Sequence, residues 1–496
     1  MKLSNYISLS ALAFLMTGFT SCTDFLEEKV YTEYDPNGML QDQSGVDALL
    51  IGAYARSRII EYNSRNYTFL MNEFPTDIAF ETGGGLERDA FPFINFSWDV
   101  DNSFLNTFWG KMYEAIASAN SVLNVTDGLT TISEESLKKA QAEARFIRAV
   151  SYYYLLNLFG PTPIIEIPKG ASPDEIEQIG KSTPRASLED FIKYIVTDLT
   201  FAADNLPVEE NPIGRATRGA ALAVLTKLYM HEKDWENAAA TAQKVIDLKY
   251  YSLYTDYKKM FSVEGEDNKE YIYRAPCIAQ AGYHNNYMPH AFPPNYPIQS
   301  NWINFGAQFR TYTAFYDTFE KGDIRTEVLI TNYVDQSGQK IELLRDNEGN
   351  PLDNVRSFKY WPDPNASGEN NGNDIVYIRY ADILLCRAEA LNELKGPNEE
   401  SINLINEIRK RAKVAEIEQS KFTKETLRDF ILEERAREFF SEGLRREDLI
   451  RHGKFISNAI ERGKDAKPYQ VLYPIPQRQR EANPNLTQNP GYEGAQ

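Results

Sequence analysis

Apolar side chains recur at helical spacing over residues 46–62, 104–125, 133–159 and 188–205, with polar residues filling the intervening positions. Phe159-Gly160-Pro161 and Leu206-Pro207 mark clear stops. The most regular stretch, 218–248, predicts two short helices joined by a turn at 232–234, and a further pair is predicted over 380–394 and 399–412. Between these lies a different composition. From 267 to 374 aromatics, Pro, Asn and Gly dominate, and helical periodicity is mostly lost. Its best helix covers 309–319, and 340–344 and 355–361 predict short strands around the turn Asn347-Glu348-Gly349-Asn350. So long an irregular stretch inside a compact protein points to function.

The 218–248 pair resembles a tetratricopeptide unit. Leu225-Thr226-x-x-Tyr229 occupies the Leu-Gly-x-x-Tyr part of that consensus, and Ala238 and Ala242 stand where small residues let paired helices approach. Thr226 in place of Gly and Val245 in place of Ala predict somewhat wider packing. The 104–125 and 133–159 pair and the 380–412 pair would be further members. The expected fold is therefore mainly α, a tetratricopeptide-like helical array dispersed along the sequence, with an irregular, loop-rich ligand-binding lobe.

The N-terminus supplies an address. Lys2 precedes an apolar run over 7–19, too short to span a bilayer as a helix, which ends in Phe19-Thr20-Ser21-Cys22. Residues 1–21 read as a lipoprotein signal peptide with Cys22 as the lipidation site; the alternative is an ordinary secretory signal with an incidental cysteine. Acyl burial at about 0.8 kcal/mol per CH2 makes anchoring stable when several chains are attached. Residues 22–45, polar, with a turn at Pro36-Asn37-Gly38 and acidic Asp24, Glu27 and Glu28, read as a lipidated tether. Two further regions follow, 46–266 and 267–496.

Charge and composition narrow the chemistry. The chain has 71 acidic and 53 basic residues, a formal charge of -18, and no basic block, which argues against nucleic acid as a partner. Outside the leader no run is long and apolar enough to cross a membrane as a helix. Cys277 and Cys386 read as separate buried thiols. The four histidines, His231, His284, His290 and His452, form no His-Glu-x-x-His pair, and neither Gly-x-Ser-x-Gly nor Cys-x-x-Cys occurs. No cofactor or metal is expected and no enzyme activity is assigned, although so many carboxylates leave a glycosidase pair open.

Several motifs, in order along the chain, carry a family resemblance. They are Ala144-Arg145-Phe146-x-Arg148-Ala149, Tyr152-Tyr153, Phe159-Gly160-Pro161-x-Pro163 and Gly214-Arg215-Ala216-Thr217. Arg379-Tyr380-Ala381-Asp382 to Ala390 follows, then Glu434-Arg435-x-x-Glu438-Phe439-x-x-Glu442-Gly443-x-Arg445-x-x-Asp448-Leu449. Pro474-Ile475-Pro476 and the segment from Asn483 to Tyr492 close the series. Together they resemble the SusD/RagB family of outer-membrane nutrient-binding lipoproteins, with 46–266 as its N-terminal helical region and 267–496 as its C-terminal region. The resemblance implies a lid-like protein, lipid-anchored in the outer membrane and facing the cell exterior. It would capture an oligosaccharide and deliver it to a SusC-like TonB-dependent transporter. The RagB branch implies peptide cargo instead, and a helical-repeat scaffold that binds only proteins is a third possibility.

Two loop regions supply the candidate ligand residues, because binding groups concentrate on loops held by a rigid scaffold. The first, 73–102, holds Asp77, the triplet Gly83-Gly84-Gly85, Arg88, Phe91, Phe93, Phe96, Trp98 and Asn102. The second, 283–309, holds Tyr283, His284, Asn285, Asn286, Tyr287, Tyr296, Asn301, Trp302 and Asn304. Flat rings can lie on the CH face of a sugar while amides and carboxylates take its hydroxyls. The resemblance implies an aromatic arc built from loops in these two regions. The candidates are Asp77, Arg88, Trp98, Asn102, Tyr283, Tyr287, Tyr296 and Trp302. Arg145, Arg148, Glu442, Arg445 and Asp448 are expected in structural ion pairs, and the tyrosine run 152–154 in packing.

Overall fold

The computed structural model describes residues 42–58, 67–210, 212–306 and 309–494. Cys22, the leader and the tether up to 41 lie outside them, as does the end of the helix predicted over 46–62. Among the described residues nine helices form a continuous stack: α1 (Gln43–Ser57), α2 (Ser103–Thr126), α3 (Glu134–Phe159), α4 (Leu188–Asn205), α5 (Arg218–His231), α6 (Trp235–Asp247), α7 (Tyr380–Lys395), α8 (Glu399–Arg411) and α9 (Lys424–Phe439). Each packs on the next in the order α2 to α8, α1 lies across α2 and α3, and α9 packs on α7. The mainly α, tetratricopeptide-like expectation matches this architecture.

The sequence explains these helices locally. Side chains of Asn102, Ser133, Ser187, Thr217 and Asp234 cap the N-termini of α2 to α6, each accepting a backbone N–H of the first turn. Small residues set the spacing where helices meet. Ala115 and Ala119 of α2, Ala140 and Ala144 of α3, and Ala53 of α1 form one buried cluster with Val46 and Leu50. In the α5–α6 pair Ala238 and Ala242 are fully buried, and the Thr226 hydroxyl, which replaces Gly, is satisfied by the Leu222 carbonyl at 2.9 Å.

The irregular segment inserted between α6 and α7 folds back onto the stack. Among the described residues it contributes to four two-stranded antiparallel ribbons, and Tyr271–Ala275 with Ile375–Arg379 brings its two ends together. Two local expectations are corrected here. The helix predicted over 309–319 is instead strand Phe309–Thr311, paired with Ala79–Glu81, and a short helix Thr313–Tyr316. Lys340–Glu342 and Arg356–Ser357 are strands, but they pair with Asn332–Val334 and Leu329–Ile330 and not across the turn at 347–350.

Buried charge welds the insert to α8 and α9. Arg379 reaches Glu270 at 2.7 Å, Glu438 at 2.6 Å and Glu442 at 2.8 Å, while Arg325 reaches Glu434 at 2.7 Å and Glu438 at 3.2 Å. Burial alone would raise the carboxyls of Glu434 and Glu438, but the surrounding guanidiniums hold both down at about 2. The expected structural pairs of the motif charges are present, most of them between helices. Arg148 and Arg145 hold Asp198 of α4, and Asp448 lies between Arg435 and Arg451. The C-terminal motif has a similar role: the Asn489 amide donates to the carbonyls of Phe159 and Tyr473, locking the end of α3.

Candidate functional site

The region 73–102 is not an open loop. It contains strand Ala79–Glu81 and helix Glu87–Asn95, and most of its aromatics join the core. Trp98 is 5 % exposed, its Nε1 donates to the Tyr492 hydroxyl at 2.8 Å, and its ring packs against Phe96 and Tyr473. Asn102 accepts from the Phe104 and Leu105 amides as the N-cap of α2. Asp77 takes a two-pronged ion pair from Arg445 at 2.8 and 2.7 Å and a further hydrogen bond from Asn458. Burial would raise the Asp77 carboxyl, yet the Arg445 guanidinium holds it below the usual range. Arg88 points into solvent, paired with Asp89 at 3.4 Å. Trp98, Asn102 and Asp77 are thus engaged by the protein itself, a correction to their expected role.

The second region divides. Tyr287 is 1 % exposed, among Phe69, Phe309 and Tyr360, with its hydroxyl 3.1 Å from that of Ser441, and burial pushes it up to about 12. It is therefore a core residue. Tyr283 is exposed on the rim of a different depression, beside Tyr54 and Pro276.

Tyr296 and Trp302 come together. With Trp361, read from the sequence only as the end of a strand, they line a solvent-open cleft of about 450 Å³ whose walls also include Ser262, Glu264 and Gln299. Three loops build it, 262–264, 296–302 and 361–364, and specific contacts hold them in place. Phe292, itself buried, stacks on both Tyr296 and Trp302 with centroids 5.5 Å away and planes 21° and 15° off parallel. Trp302 Nε1 donates to the Asp363 carbonyl at 2.9 Å, which fixes the indole edge. The Asn373 amide bridges the carbonyls of Phe261 at 3.0 Å and Trp361 at 2.9 Å, tying two walls together. The Lys258 ammonium lies 3.8 Å from the Trp361 ring centroid, and Phe358 meets the indole edge-on.

Half-buried rings lining an open cleft are suited to apolar CH surfaces, and the exposed Gln299 and Glu264 offer an amide and a carboxylate to hydroxyl groups. Among the described residues no set of three or more His, Cys, Asp or Glu is arranged to hold a metal ion. The signal that would have found Trp361 is its sequence setting, a tryptophan followed by Pro-Asp-Pro, where a strand cannot continue.

Residues 24–230 match a family described as "Starch-binding associating with outer membrane", and residues 269–459 match the SusD family. The chain belongs to the SusD/RagB family. Starch-binding protein SusD of Bacteroides thetaiotaomicron is 26% identical, over 98% of this chain and 98% of its own length. A SusD-like protein of Formosa agariphila is also 26% identical, over 99% and 98%. Among solved structures, a SusD homologue from Bacteroides thetaiotaomicron superposes with a TM-score of 0.79 at 23% identity, covering 93% of this chain and 99% of its own. A laminarin-binding SusD-like protein gives 0.77 at 23% identity, covering 91% and 100%. The helical stack of this SusD/RagB protein is thus the SusD superfamily fold.

Proposed function

We propose that this SusD/RagB protein is a non-enzymatic, glycan-binding lipoprotein of the outer membrane. Anchored through Cys22 and facing the cell exterior, it captures oligosaccharides in the Tyr296–Trp302–Trp361 cleft and delivers them to a SusC-like TonB-dependent transporter. The observation that carries the binding step is the convergence of three braced aromatic rings on one open cleft with hydroxyl-binding groups at its mouth. The starch-binding and laminarin-binding names of its relatives point to the same ligand class.

Calorimetric titration of the purified protein with starch and laminarin oligosaccharides tests this. Each of Trp302→Ala and Trp361→Ala should weaken binding roughly tenfold, the loss expected of one stacking ring. A double variant that binds every such glycan as tightly as the parent would refute the cleft assignment. Incubation with the same glycans should release no shorter products.

A further inference from the structure

We propose that the cleft selects neutral oligosaccharides, with Glu264 as the residue that turns away carboxylated or sulfated ones. This rests on the glycan reading of the cleft and adds the charge class of the ligand. Among the described residues no Lys, Arg or His lines the cleft, and the only formally charged lining side chain is that of Glu264, which is exposed. Among the described residues no cation pairs with it. Lys258, the cation seated against Trp361, lies 3.8 Å from the ring centroid and is not part of the lining.

Behind the walls carboxyls sit among a few cations, of which Arg274 is held by its own carboxylate partners. Asp363 directs its two carboxylate oxygens to the amides of Asn365 and Gly372, each at 2.8 Å. Glu266, on the loop that carries Glu264, accepts from the Asp374 amide, and Arg274 is shared between Asp374 and Glu210 at 3.1 Å each. Burial first, and Asp374 second, push the Glu266 carboxyl up to about 8, as expected where carboxyls outnumber cations. A neutral sugar meets in this cleft ring faces, an amide and a carboxylate acceptor. A uronate or sulfate ester meets the same rings but brings a second negative charge beside Glu264 with no cation among the lining side chains, under the field of a chain of charge -18.

The probes are maltoheptaose, laminarihexaose and the same chains oxidised at C6 to uronates. Wild-type protein at low ionic strength should bind the neutral chains roughly tenfold tighter than their oxidised forms, a gap that narrows as salt is added. Glu264→Gln should bring the pair within about threefold by strengthening the oxidised chain. Equal or tighter binding of the oxidised chains by the wild type overturns the proposal, as does a gap that Glu264→Gln leaves unchanged. If Trp302→Ala weakens neutral binding roughly tenfold while oxidised chains bind the wild type as well as neutral ones, only the charge selectivity falls. If neutral binding ignores both Trp302→Ala and Trp361→Ala, the glycan assignment of the cleft falls instead.

Discussion

Glu73 is sealed from solvent, with one carboxyl oxygen accepting from the Ser441 amide at 2.8 Å and the other having no hydrogen-bond partner among the described residues. Burial pushes its carboxyl from 4.5 up to about 8. The folded chain therefore holds this proton more tightly than the unfolded chain does. Its stabilising contribution is complete below about 4.5 and is lost as pH rises through about 8. Glu73→Gln mimics the protonated form. It should melt with the wild type near pH 5 and roughly 1–3 °C higher at pH 9, measured by calorimetry; an equal offset at both pH values would show that the proton plays no part. At this scale the sequence reads unevenly. Motif charges such as Arg148 and Asp448 announce themselves as structural pairs, whereas the burial of Trp98 or Tyr287 depends on partners such as Tyr492 and Ser441, far away in the chain.

The helices were legible because each carries its own periodicity, caps and stops within one stretch of chain, and α2 to α8 lie close to where those signals put them. The ribbons were not. Phe309–Thr311 has an apolar pattern compatible with a helix, and its pairing with Ala79–Glu81 overrides that local preference. The cleft depends on the same kind of long-range link, since the Asn373 amide joins the Phe261 and Trp361 carbonyls. Asn373→Asp removes the donor while keeping the shape. It should weaken oligosaccharide binding about three- to tenfold with an unchanged helical circular dichroism spectrum, because the array does not depend on that bridge. Unaltered affinity would mean the walls are held by other contacts.

At the scale of the whole molecule, a helical stack carries an irregular insert whose loops form the cleft, and a lipid at Cys22 would keep that assembly at high local concentration beside a transporter. Cys22→Ala should leave oligosaccharide affinity of the purified protein unchanged yet reduce glycan uptake by cells at least severalfold; undiminished uptake would remove the anchor from the mechanism. By itself the sequence determined the helical array, its tetratricopeptide-like pairing, the family and the acidic charge, because each is written in local spacing, in ordered motifs or in composition. Only the tertiary structure decided which aromatics face a ligand. Trp98, Tyr287, Tyr296, Trp302 and Trp361 are all aromatic, and what separates them is whether distant segments bury their rings, as Tyr473 covers Trp98, or leave them half-exposed along a cleft beside Glu264 and Gln299. Burial is a property of the packed chain, and no spacing along 283–309 or 355–361 encodes it.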